Sequence, residues 1–145
     1  FIADSAIEEA LLAMSLGELL EAPGLDRLVS GQGAHALPSH QAQAIAIARL
    51  FLSPQAILLM DHPFRHLDIN GSRSLLNLLK QRKGKGTTLV VSDEPQLLEI
   101  ADQLVLMKAG TVSFSGTPQE LLEAQKKAAM QQAALAALGG SPPTE

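Results

Sequence analysis

Asp61 and His62 close an apolar run, Ala56-Ile57-Leu58-Leu59-Met60, and Pro63 follows at once. A short apolar run bounded by polar residues predicts a strand buried on both faces, as in a parallel sheet. Proline forbids its continuation as a paired strand. In open α/β sheets ligands sit at the carboxyl ends of strands, which is where Asp61 stands. A turn aspartate capping an ordinary buried strand explains this segment equally well, so the weight falls on the flanking sequence. With no cysteine, disulfides, thiolate metal sites and thiol nucleophiles are excluded. Four scattered histidines argue against a zinc site.

The totals fit one domain of 145 residues with an aliphatic core, since the chain has four Phe and neither Trp nor Tyr. A net charge of −4 argues against nucleic acid as a partner bound through a broad basic face. No apolar run approaches the roughly 18 residues that span a bilayer, and no signal peptide opens the chain. The expectation is a soluble protein on the cytoplasmic side. An apolar start at Phe1-Ile2, without methionine, suggests a piece of a longer polypeptide.

The elements that must position Asp61 follow from spacing. Ser5 and Glu8 have the spacing of a capping box, ahead of Ile7, Leu11 and Met14 at helical intervals. Leu12, Leu16, Leu19 and Leu20 widen that stripe, with a break near Gly17 and an end before Pro23-Gly24. Leu28-Val29 reads as a short apolar anchor. The stretch 30–40 carries two glycines and no amphipathic period, so it reads as a loop. A largely buried helix over 39–52 follows, with Pro38 beside its first turn. After the strand come a loop to Asp68 and a helix over 69–82 with Leu75, Leu76, Leu78 and Leu79 inward. Its basic end, from Lys80 to Lys85, complements the helix dipole. A second buried strand is predicted over 87–91, a short helix over 96–101, and a hairpin over 104–114 through Lys108-Ala109-Gly110. Thr117 with Glu120 can cap a helix that continues into an Ala/Gln/Lys stretch ending at Gly139-Gly140. Residues 141–145 are expected to be disordered. Strands alternating with helices mean α/β with a parallel core.

These residues stand in a known order: Leu-Pro-Ser-His-Gln at 37–41, Gln-Ala-Ile-Ala-Ile-Ala-Arg at 43–49, and Ser-Pro-Gln-Ala-Ile-Leu-Leu-Met-Asp at 53–61. His62-Pro63, Leu67-Asp68, Thr-Thr-Leu-Val-Val-Ser at 87–92, Ala101-Asp102 and Gly-Thr-Pro-Gln-Glu-Leu-Leu at 116–122 follow. The order resembles the nucleotide-binding domain of an ABC transporter over about four-fifths of the chain, most of all the exporter branch. The resemblance implies a P-loop NTPase-like parallel sheet lacking its Walker A half, a helical signature subdomain over 1–52, an α/β core over 53–125, and an Ala-rich helix and tail over 126–145. It implies ATP and Mg²⁺ as cofactors, with weak binding by this stretch. The implied partners are a second ABC ATPase domain and a membrane-spanning transporter domain.

Carried over by position, Asp61 matches the Walker B aspartate, a carboxylate suited to a hard cation that keeps its waters. Asp68 matches the D-loop aspartate, and Leu37, Pro38, Ser39, His40 and Gln41 match the Leu-Ser-Gly-Gly-Gln signature that clamps the partner's ATP. The departures are equally informative. His62 stands where the family has the glutamate that polarises the attacking water, and an imidazole brings no negative charge. Asp93 stands where the family has the histidine that contacts the γ-phosphate. Pro38 removes a hydroxyl and an amide, and Ser39 and His40 replace glycines that let backbone approach phosphate. Each change has a plain alternative: a turn residue at His62, a helix-start residue at His40, a cap at Asp93 before Pro95. Together they imply a degenerate ATPase with a structural or regulatory role. Two other readings remain: an active transport ATPase whose Walker A lies on a segment before Phe1, and an interaction module unconnected with transport.

Overall fold

The computed structural model describes residues 2–30, 33–53 and 55–137, in two compact units divided between Pro95 and Gln96. The first unit begins with helix α1, Asp4–Ala13. Its N-cap is Ala3, without a side-chain bond, so the capping box expected from Ser5 and Glu8 does not form. The helix starts two residues earlier than a Ser5 cap requires and places Ser5 inside its first turn, where its hydroxyl is not at the capping position. Single 3₁₀ turns over Gly17–Leu20, Gly24–Asp26 and Gly33–His35 lead to α2, Ser39–Phe51, which has Pro38 as its N-cap. Strand β1, Ile57–Asp61, is followed by α3, Ile69–Arg82, and by β2, Thr87–Val91.

Local chemistry sets each boundary. The Asp68 carboxylate accepts a hydrogen bond from the Gly71 amide at 2.7 Å and so caps α3. Lys80 and Arg82 close that helix, where cations meet the negative end of its dipole. Arg82 also ties the helix end to the sheet, donating from Nε to Thr88 Oγ1 at 3.0 Å and from its terminal nitrogen to the Gln55 carbonyl. Gly86 lets β2 approach the preceding segment, because a Cβ there would lie 2.8 Å from the Ala56 carbonyl oxygen.

β1 and β2 pair in parallel, with Leu59 opposite Leu89 and Asp61 opposite Val91. The helix between them makes this a β-α-β crossover. The core of the unit gathers Leu11, Met14 and Leu16 with Ala44, Ile47 and Ala48 from α2, Leu58 and Met60 from β1, and Leu75, Leu76 and Leu79 from α3. Ser15 Oγ and Ser74 Oγ share a 2.8 Å hydrogen bond that joins the end of α1 to α3.

Four burial expectations are corrected. The strands are not buried on both faces: Leu58 and Met60 are buried, whereas Ile57, Leu59, Leu89 and Val91 are exposed. A continuous apolar run carries no alternation, so it cannot tell a strand covered on two faces from one covered on one. Leu28 and Val29 are exposed rather than anchored, and Leu12 lies outside the buried stripe of α1. Helix α2 fully buries one stripe, Ala44, Ile47 and Ala48, whereas Ile45, Leu50 and Phe51 are partly exposed and Ala42 and Ala46 lie open.

The second unit holds a 3₁₀ turn that begins at Pro95 and runs to Glu99, an antiparallel hairpin of β3, Leu104–Lys108, and β4, Thr111–Gly116, and helix α4, Pro118–Ala137. Ala109 and Gly110 both take positive φ, 50° and 77°, the requirement of the tight primed turns that join hairpin strands. Thr117 and Glu120 form the expected capping box. The Thr117 amide donates to Glu120 Oε2 at 2.7 Å, and the Glu120 amide donates to Thr117 Oγ1 at 3.2 Å. The expected helix stop at Gly139-Gly140 and the disorder of 141–145 lie outside the described residues. The fold is thus a mixed α/β piece with one small parallel and one small antiparallel sheet.

Candidate functional site

Three of the residues singled out from sequence meet at the carboxyl ends of β1 and β2. Parallel pairing sets Asp61 beside Val91, and the His62 amide donates to the Val91 carbonyl at 2.7 Å. That bond extends the ladder one residue past the strand and fixes where the imidazole leaves the backbone. Its Nε2 lies 3.9 Å from Asp61 Oδ1, and its Nδ1 lies 3.9 Å from Asp93 Oδ1. Both distances exceed the hydrogen-bond range, so neither carboxylate fixes the imidazole tautomer or aims it. The side chains of Asp61 and Asp93 are 82% and 98% exposed against 37% for His62, so water screens both contacts.

His62 has φ +44°, in the left-handed region, and His66 has φ +70°. The two are four residues apart, the spacing of a helical metal pair, but they lie in a turn between β1 and α3. No group of three His, Asp, Glu or Cys side chains able to hold a metal forms among the described residues. A lone exposed carboxylate at Asp61 suits Mg²⁺, which is commonly held by one or two carboxylates together with substrate phosphates. The phosphate cradle that would complete such a site, Gly-x-x-x-x-Gly-Lys-Ser/Thr, is not present in the 145 residues.

The signature-like residues lie elsewhere, at the opening of α2. Pro38 leaves that helix without a side-chain cap. Leu37, Pro38 and Gln41 border a cleft of about 450 Å³ that Glu18, Arg27 and His35 also line. Gln41 donates through Nε2 to Glu18 Oε1. Two polar residues were missed by reading the sequence. Glu18 occupies the Gln41 amide, and Gln43 Nε2 donates to the Pro63 carbonyl at 3.3 Å, linking α2 to the turn that carries His62. Nothing in the sequence marks Glu18. Gln43 stands out only as a polar residue next to the most buried stretch of α2. Asp68, one turn beyond His62, is committed to capping α3.

No protein-family model matches the chain. Over 122 residues, 82% of its length, it is 34% identical to a sulfate/thiosulfate import ATP-binding protein of Rhizobium meliloti. Over 104 residues it is 38% identical to an Fe(3+) ions import ATP-binding protein of Rhizobium etli, covering 66% of this chain and 29% of that protein. Its fold superimposes on a bacterial Atm1-family ABC exporter solved with ATP bound, with a TM-score of 0.70 over 99% of this chain and 25% of the exporter chain. Sequence identity there is 18%, so that likeness speaks for the fold.

The chain is part of an ABC transporter ATP-binding domain.

It spans 32% of the length of the sulfate/thiosulfate relative, about the share it covers in the other curated relatives. Within this ABC piece, Asp61 ends β1, and Asp93, two residues past β2, reaches the same end of the sheet through His62. No helix among the described residues is long and apolar enough to cross a membrane.

Proposed function

We propose that this part of an ABC ATP-binding domain is catalytically degenerate, serving a transport complex as a structural or regulatory subunit. The observation that carries the reading is the pairing of His62 and Asp93 at one sheet edge beside Asp61. Phosphoryl transfer is catalysed by positioning and by charge complementary to the terminal phosphate. A general base must also be oriented toward the water it deprotonates. Here the residue in the base position is an imidazole that no carboxylate aims, and the residue in the γ-phosphate-contact position is an anion. Asp61 would hold Mg²⁺, and Asp68 would serve the dimer contact in addition to its cap. Leu37 to Gln41 would face the nucleotide of a second ABC domain, with Pro38, Ser39 and His40 weakening that clamp.

The finer assignments belong to the same proposal. They are the P-loop NTPase-like sheet completed by a Walker A half, the signature subdomain over 1–52, the core over 53–125 and the tail over 126–145. The chain would bind ATP and Mg²⁺ weakly and pair with another ABC ATPase domain. It would act on the cytoplasmic side of a membrane, on a membrane-spanning transporter domain. The sequence relatives are named as importers and the structural match as an exporter, so the proposal carries no direction of transport.

Replacing His62 by glutamate in the assembled transporter tests the breadth of the loss. ATP turnover should stay at background, because Asp93 and the altered signature remain. Turnover restored by that single change would instead support an active ATPase with one lesion.

A further inference from the structure

The first turn of α3 is weak by composition. Ile69, Asn70, Gly71 and Ser72 open the helix, and asparagine and glycine both rank low in helix propensity. Gly71 stands there because space demands it: it is buried, and a Cβ would lie 3.1 Å from Asp68 Oδ1 and 3.3 Å from Leu67 Cδ2. That demand sets a glycine directly after Asn70, which is exposed. Two bonds to Asp68 hold the turn closed. The Gly71 amide donates to its carboxylate at 2.7 Å, and the Ser72 amide donates to its carbonyl at 2.9 Å. Asparagine followed by glycine also carries latent chemistry, because a glycine nitrogen has no neighbouring Cβ to shield it from the side-chain amide carbon before it.

We propose that Asn70 is a site of non-enzymatic deamidation held in check by the Asp68 cap. The Gly71 nitrogen gives up its proton to water and attacks Asn70 Cγ, closing a cyclic imide and expelling the side-chain nitrogen as ammonia. Water then opens the imide at either carbonyl and leaves aspartate or isoaspartate at position 70. The net change is a water consumed and an ammonia released. The ring closes only when the Gly71 nitrogen faces Asn70 Cγ. In the closed turn that nitrogen instead directs its hydrogen at Asp68 Oδ1. Conversion therefore proceeds from the opened turn, at a rate scaled by how often the turn opens, and helix ends open more readily than the core. The isoaspartate product adds a methylene to the main chain at the point where Gly71 approaches Leu67 and Asp68 most closely. It would keep the cap from re-forming and unfasten the start of α3, whereas aspartate would add only a charge. None of this chemistry depends on nucleotide binding, so it stands whether or not the domain turns over ATP.

The test ages the complete protein that contains this chain at physiological pH and temperature and follows Asn70 by peptide mapping with mass spectrometry. Slow conversion to a mixture of aspartate and isoaspartate is expected, with Asn77, which lies mid-helix ahead of Leu78, unconverted. Asp68→Ala should speed conversion of Asn70 about fivefold, the equivalent of the roughly 1 kcal/mol that an N-cap side chain supplies. Asp68→Ser, which keeps a capping oxygen, should convert at the parent rate. If Asp68→Ala loses the far-ultraviolet circular dichroism of the parent, the parent unfolded in guanidinium takes its place, and there Asn70 should convert about tenfold faster or more. Absence of conversion at Asn70 in the aged protein, a folded rate equal to the unfolded one, or a rate indifferent to Asp68→Ala would each overturn the proposal.

Discussion

His62 combines a left-handed backbone, at φ +44°, with a side chain between two carboxylates that it does not hydrogen-bond. The conformation is costly for branched residues and milder for histidine, asparagine and glycine. Placing a β-branched side chain there should therefore cost stability even though no core contact is lost. His62→Val is expected to destabilise the chain by about 1–2 kcal/mol, read from the denaturant midpoint, with His62→Asn near neutral. Equal midpoints for the two variants would show that the turn relaxes around any residue. Asp61 and Asp93 carry little of the fold's stability, because both are solvated and their contacts with the imidazole are long. The role proposed for them is chemical. The juxtaposition of Asp61 with His62 was legible in the sequence, since adjacent residues need no fold to meet. Asp93 came within reach only through the parallel register of β1 and β2, which the family order implied and spacing alone did not.

At the scale of elements, helix ends decide most boundaries. The two capping signals in the sequence had different fates. Thr117 with Glu120 forms its box, whereas Ser5 with Glu8 does not, because α1 begins at Asp4 and takes Ala3 as its cap. A four-residue spacing cannot specify which residue the tertiary contacts will choose as the cap. The box at α4 has a pH signature. Hydrogen bonds from the Thr117 amide, then from its hydroxyl, hold the Glu120 carboxyl below its ordinary value of 4.5. A carboxyl lowered by folding contributes stability that is fully present above its unfolded value and lost as pH falls through the folded one. Helicity of α4 should thus hold at neutral pH and decline on acidification below about pH 4.5. Glu120→Gln should remove that dependence, and an acid transition unchanged by the substitution would assign it to other groups. Strands were the less legible elements. Their positions followed from apolar runs and turn residues, but their one-sided burial did not, because Ile57 and Leu59 are as apolar as Leu58 and Met60.

At the scale of the molecule, the α/β class and the order of elements were readable from alternation alone. The family was readable from colinear blocks rather than from any single motif. The layering was not readable, because what covers a sheet face depends on polypeptide beyond the two strands. Nor was the engagement of Gln41 by Glu18, which joins residues 23 positions apart. In the reading proposed above, the chain keeps Asp61 as the carboxylate that would hold a metal and carries His62 and Asp93 where the groups that move a proton and bind the terminal phosphate would stand. That division makes the account a claim about rate and leaves assembly intact. The direct measurement is ATP hydrolysis by the complete transporter containing this domain, with the catalytic glutamate of the partner ABC domain replaced by glutamine. Turnover at background is the predicted result, and hydrolysis at the rate of the unmodified transporter would contradict the account.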